Sequence, residues 1–252
     1  DYLLVESTYG DRVHNGEDAE EALAEVIART VARGGTVIIP AFAVGRTQIL
    51  LYHLQRLKAA RRIPDMPVYL DSPMAQDATD IYRSHPGDHR LGAEQLRKAF
   101  KVARYVRSVE ESKALDHDPY PKVIISASGM ATGGRVLHHL KHYASDRRNA
   151  VLFAGYQAGG TRGAAMLAGA ETIKIHGGHI PVHAEVANLP MLSAHADSNE
   201  IMAWLGNFEA PPKMTFVVHG EAAAADALRH RIKEELDWPC AVPEHQEQVE
   251  LT

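Results

Sequence analysis

Ser193-Ala194-His195-Ala196-Asp197 and Phe216-Val217-Val218-His219-Gly220-Glu221 decide how this sequence is read. In each, a histidine follows an apolar or small-residue run and precedes a turn and a helical pattern. In an α/β protein that pattern puts a polar side chain at the C-terminal edge of a strand, where such folds build their sites. The two imidazoles lie one strand–helix–strand unit apart and can converge on one metal or one phosphate. Far away in sequence, Glu6-Ser7-Thr8-Tyr9-Gly10 strengthens the signal from the opposite end.

Outward from these runs, β-rich segments alternate with amphipathic ones. Strands are expected at Tyr2–Glu6, Thr36–Pro40, Val68–Asp71, Val123–Ser126, Ala150–Ala154 and Met214–His219. Helices are expected at Asp18–Arg33, Arg46–Ala60, Ala75–Ser84, Ala93–Phe100, Gly134–Tyr143, Asn199–Asn207 and Ala222–Leu236. Such alternation implies βαβ units, hence an α/β fold with a mainly parallel sheet flanked by helices. Thr172–Leu189 reads instead as strand, Gly177-Gly178 turn, strand, a small antiparallel hairpin.

The 252 residues and 45% apolar content allow one large domain or two modest ones. The single cysteine, Cys240, excludes a disulfide framework and a thiolate metal cage. It makes a reducing, cytoplasmic setting the expectation. No apolar run approaches the ~20 residues of a membrane span, so no membrane partner is expected. The net charge of −5 argues against gross basicity, but the distribution is uneven. Arg46, Arg56, Lys58, Arg61 and Arg62 stand together without an intervening acid. A local basic field on an acidic protein suits an anionic ligand in a groove; solvated helix faces would give the same pattern. The sequence opens on Asp1 rather than Met, and a piece of a longer polypeptide is expected.

Three further segments follow strands and carry candidate chemistry. Ser126-Ala127-Ser128-Gly129-Met130-Ala131-Thr132-Gly133-Gly134-Arg135 is rich in small residues that let backbone N–H groups approach an anion. It reads equally as a tight strand-to-helix turn. Ala41-Phe42-Ala43-Val44-Gly45-Arg46 places Arg46 in the first turn of a helix, where a cation opposes the dipole. Local stability does not explain that choice; contact with a phosphate would. Gly155-Tyr156-Gln157-Ala158-Gly159-Gly160-Thr161-Arg162-Gly163 reads as a backbone-binding loop or a plain turn.

Together, Glu6–Gly10, Pro40–Arg46, Asp71-Ser72-Pro73-Met74, Ser126–Gly134, Ala154–Gln157, Ser193–Asp197 and Val218–Glu221 follow the order of a known family. The chain resembles the β-CASP branch of the metallo-β-lactamase superfamily. It is most similar to the RNA-processing members, which include the cleavage and polyadenylation specificity factor endonuclease and its bacterial and archaeal relatives. The resemblance implies a β-CASP domain over 11–192. It assigns 1–10 and 193–252 to the C-terminal part of a metallo-β-lactamase αββα sandwich.

The same resemblance implies a zinc-dependent ribonuclease that hydrolyses RNA phosphodiester bonds with two zinc ions. Glu6 matches the family's acidic motif A, His195 motif B and His219 motif C. His219 would ligate zinc, and His195, supported by Glu6, would protonate the leaving oxygen. Arg46, Ser128, Gly129 and Arg162 are the candidate RNA or phosphate contacts. The expected partner is single-stranded RNA, which His219 favours over DNA within the family; a homodimer is left open. The family's His-x-His-x-Asp-His metal motif does not occur in this sequence. This chain alone is therefore expected to bind zinc weakly or not at all and to lack nuclease activity. His138, His139 and His142, or His176, His179 and His183, are poor substitutes in order and neighbours. Two alternatives stand beside the ribonuclease: a non-catalytic RNA-binding or scaffold homologue, and an ordinary doubly wound enzyme holding a nucleotide on Ser126–Arg135.

Overall fold

A computed structural model describes residues 1–14 and 16–251. They form two compact units, one of Glu17–Leu192 and one of Asp1–Gly16 with Ser193–Thr252. No helix among the described residues is long and apolar enough to cross a membrane.

The larger unit is built on β2 (Val37–Pro40), β3 (Val68–Leu70), β4 (Ala103–Tyr105), β5 (Val123–Ser126), β6 (Ala150–Phe153) and β9 (Glu185–Asn188). Every pairing is parallel, in the order β4-β3-β5-β2-β6-β9. Strands β2, β5 and β6 are buried at all four positions, which is why they read as continuous apolar runs. Val37 and Ile39 pack with Val123 and Ile125 against helices α1 (Ala19–Ala32), α2 (Arg46–Ala59) and α4 (Ala93–Phe100). Ile38 and Ile124 face the opposite core, under α5 (Val109–His117), α6 (Val136–Tyr143) and α7 (Arg162–Leu167). Helix α3 (Pro73–Ser84) starts on Ser72, whose hydroxyl accepts from the Ala75 N–H. Such a cap is worth about 1 kcal/mol.

The expected hairpin is shorter than Thr172–Leu189. Antiparallel pairing joins only β7 (Thr172–Ile175) to β8 (Gly178–Pro181). Glu185–Asn188 returns to the main sheet, where Val186 pairs with Val151 at the free edge of β6. Helices α5 and α7 and strands β4 and β9 are additions to the sequence expectation, as is the short strand Cys240–Ala241 in the smaller unit. Most other boundaries move by only one or two residues.

The smaller unit has a three-stranded parallel sheet, order β1-β10-β11, from Tyr2–Glu6, Met214–Val218 and Cys240–Ala241. Its core joins Val5 and Val217 to Ile201 and Leu205 of α8 (Ser198–Leu205) and to Leu228 and Ile232 of α9 (Ala222–Leu236). Register places Glu6 opposite Val218, so β1 and β10 finish side by side.

Candidate active site

That shared strand end positions the site. The expected strand Met214–His219 stops one residue early, because His219 adopts a left-handed backbone, φ 65°. Such a conformation costs a non-glycine residue of order 1–3 kcal/mol and persists only where its surroundings enforce it. Here the Ser7 hydroxyl donates to the Val218 carbonyl at 2.8 Å. Gly220 lies so close to Ser7 that a Cβ there would come within 2.4 Å of its carbonyl oxygen. The turn brings His219 Nδ1 to 3.1 Å from Thr8 Oγ1. Its Nε2 has no protein partner among the described residues.

His195 arrives from the other side. Asp197 caps α8, accepting from the Glu200 N–H at 2.8 Å, while the Glu200 carboxylate accepts from the Asp197 N–H at 2.9 Å. Asp197 also accepts from the His14 N–H at 2.8 Å, and the His14 ring lies 2.9 Å from the His195 carbonyl. This scaffold sets His195 Nδ1 3.2 Å from Glu6 Oε1. The His195 and His219 rings are 5.5 Å apart, tilted by 31°.

Glu6 is the junction. Its Oε2 accepts from the Thr8 N–H at 2.8 Å. Burial raises its pKa, but the Thr8 backbone and hydroxyl and His195 outweigh that and hold the carboxyl below its ordinary value. Glu6 therefore stays anionic at neutral pH and fixes a proton on His195 Nδ1, which leaves Nε2 to exchange a proton with a bound group. Thr8 thus positions both Glu6 and His219, a role that sequence reading missed although Thr8 lies inside the quoted motif.

Glu6, His195 and His219 offer ligand atoms within 4.8 Å of one another, the one such group among the described residues. Zinc takes four donors, or three and an open position. Glu6 and His195 Nδ1 are already committed to each other, so the set fits one edge of a zinc environment, with the Nε2 atoms of His219 and His195 unspent. A two-ion site needs donors beyond these three.

The four candidate RNA contacts lie in the larger unit, at loops beyond the C-terminal ends of β2, β5 and β6. Arg46 is buried, and its Nη1 donates to the Ala154 carbonyl at 2.8 Å, tying the loop after β2 to the end of β6. That bond gives the cation a partner at the helix N-terminus. Ser128 Oγ accepts from the Thr132 and Gly133 N–H groups, closing its own loop. Gly129 is buried against Phe42; a Cβ there would stand 2.8 Å from the ring. Arg162 donates from Nε to the Lys174 carbonyl at 2.6 Å and from Nη1 to Ala131 at 3.2 Å.

The histidine clusters serve other ends. His139 is fully buried between Asp71, 2.8 Å from Nε2, and Asp116, 2.7 Å from Nδ1. Arg135 and Ser112 complete the partners of Asp71. His138 packs on His176, and His142 on His117.

Residues 47–166 match the Beta-Casp domain, and residues 179–243, which include His195 and His219, match the Zn-dependent metallo-hydrolase RNA specificity domain. The chain is 40% identical over 239 residues to Ribonuclease TTHA0252 of Thermus thermophilus, covering 90% of this chain and 53% of that protein. It is 35% identical over 258 residues to Transcription termination factor FttA of Methanocaldococcus jannaschii, covering 94% and 40%. The RNase J-like protein of the same archaeon is 32% identical over 251 residues, covering 96% and 57%. The chain thus spans about half the length of the curated relatives it matches. Two family domains in sequence order, and relatives matched along almost all of this chain, give one conclusion: it belongs to the RNA-processing β-CASP family of the metallo-β-lactamase superfamily.

Proposed function

We propose that this chain is the RNA-binding and specificity portion of a zinc-dependent ribonuclease that hydrolyses phosphodiester bonds. The observation that carries the reading is the Glu6–His195 pair, 3.2 Å apart, with His219 alongside. Glu6 holds the His195 ring with Nδ1 turned to its carboxylate. His195 Nε2 then donates to the oxygen that leaves the cleaved phosphorus, a general-acid role worth about 10²–10⁴ in rate. Thr8 steadies both sides of the site through Glu6 and His219. His219 Nε2 is the zinc donor in this reading; zinc, when bound, supplies Lewis-acid stabilisation of the phosphoryl oxygens. Two ions in the whole protein and a homodimeric assembly are part of the proposal, read by metal analysis and by sedimentation.

Single-stranded RNA is the proposed substrate. The loops of Ser128, Gly129 and Arg162 supply its track, and Arg46 holds their neighbour in place. The name Ribonuclease TTHA0252 supports hydrolysis.

The test compares His195→Ala and His219→Ala in the full-length protein. His219→Ala loses zinc together with cleavage. His195→Ala loses cleavage in single-turnover assays while zinc content stays nearly unchanged. Equal zinc loss in both variants makes both histidines ligands and overturns the assignment.

A further inference from the structure

The main chain of His195 is held at both ends. Its N–H donates to Ser193 Oγ at 3.3 Å, and its carbonyl faces His14 Nε2 at 2.9 Å. A carbonyl oxygen only accepts, so His14 Nε2 carries a hydrogen and donates it. The Glu200 carboxylate, 4.0 Å from the same nitrogen, is also an acceptor and favours that hydrogen. Tyr9 is buried, and its ring meets both imidazoles edge-on, His14 at 5.1 Å and His195 at 6.4 Å.

The His14 ring is not what ties its own segment down. Tyr9 forms a parallel bridge with Asp197. The Ser198 N–H donates to the Arg12 carbonyl at 3.1 Å, and the His14 N–H donates to Asp197 Oδ2 at 2.8 Å. These contacts strap residues 9–14 to the start of α8 with no help from the imidazole. The bond from the ring goes elsewhere, to the backbone of the residue that pairs with Glu6. The His195 side chain turns about the bond that joins it to this backbone, so a fixed carbonyl fixes where Nε2 points. Proton transfer tolerates little misplacement, and an error of 1 Å can cost about 10²-fold.

We propose that His14 is a positioning residue for the acid: its Nε2–H locks the His195 peptide so that His195 Nε2 meets the leaving oxygen. It acts through His195 alone. The inference rests on the general-acid reading of His195.

Single-turnover cleavage by the full-length protein tests it, together with zinc content and melting temperature. His14→Ala should slow cleavage of ordinary RNA about 10- to 100-fold while zinc is kept. In His14→Gln the side-chain amide can reach the same carbonyl, so most of the rate should return. His14→Asn is too short and should resemble His14→Ala. A purely structural role would instead make the rate follow melting temperature across the three variants.

A second arm uses RNA with sulfur replacing one bridging oxygen, on the 3′ side in one substrate and on the 5′ side in another. A thiolate leaves without a proton, so sulfur at the leaving position should restore His195→Ala. On that same substrate the deficit of His14→Ala should vanish. A deficit that persists there, zinc loss in His14→Ala, rates that follow melting temperature, or no rescue by His14→Gln overturns the proposal and spares the reading of His195. If neither sulfur substrate restores His195→Ala, the general-acid reading fails and the role of His14 falls with it.

Discussion

His139→Leu should destabilise the larger unit more than any surface change, and by an amount that depends on pH. His139 and Asp71 are both fully shielded from solvent, and Asp116 nearly so. The substitution removes two short bonds, of 2.7 and 2.8 Å, and leaves Asp71 to Arg135 and Ser112 alone. Removing one member of a buried ion pair costs roughly 3–5 kcal/mol. Burial lowers the His139 pKa, but the bonds and charges of Asp116 and Asp71 outweigh it, and the net shift is upward. A raised folded-state value means that the contribution is complete below the ordinary value of 6.5 and is lost as pH rises through the folded-state value.

Asp71 behaves oppositely. Burial raises its pKa, yet His139, Ser112 and Arg135 hold it below its ordinary value of 3.8, so its contribution is lost only as pH falls through that depressed value. The network is therefore complete between 3.8 and 6.5. Tyr143, whose ring lies 6.5 Å from His139, is pushed upward by burial and does not titrate in this window. Urea titrations followed by circular dichroism at pH 6 and pH 9 give the readout. The wild type should lose stability between them, with a slope of at most about 1.4 kcal/mol per pH unit from this one group. The variant should lack that slope. A difference below about 1 kcal/mol at pH 6, or one that does not shrink by pH 9, refutes the reasoning.

Other predictions concern single contacts. Glu6→Gln in the full-length protein should lower single-turnover cleavage less than His195→Ala does, with zinc content kept; full activity would separate the pair. Gly129→Ala should cost about 1–3 kcal/mol in thermal or urea unfolding, because its Cβ meets both the Phe42 ring and backbone. Ser108→Ala removes half of the capping box on α5 and should cost about 1 kcal/mol. RNA affinity, measured by fluorescence at two ionic strengths, should fall steeply with salt, and salt-independent binding would reject phosphate contacts.

Strong local signals read well in the sequence. The fully buried β2, β5 and β6 and the long amphipathic α1 and α9 fell close to their expected places. Ala103–Tyr105 has three residues and Glu185–Asn188 is half polar at a sheet edge, so neither carries a strand pattern on its own. Helix α5 did announce itself, through Ser108 and Glu111 at capping-box spacing, but its apolar face is thin. Glu6, His195 and His219 were legible as motifs. Their convergence depends on the β1–β10 register and the left-handed turn at His219, which no local pattern specifies. The bond of Arg46 was not legible, because its partner, the Ala154 carbonyl, is 108 residues away.

The pairing of β1 with β10 also sets an order of events during synthesis. Glu6 leaves the ribosome well before its partners: His195 lies 189 residues downstream of it, and the carbonyl that Ser7 binds lies 211 residues downstream of Ser7. All of Glu17–Leu192 is made in between, with its own sheet and cores, and domains tend to fold as they emerge. Strand β1 waits for β10 through that interval. The acid–base pair assembles only after the larger unit has been made, so a chain truncated between Leu192 and His195 carries the whole larger unit and no such pair.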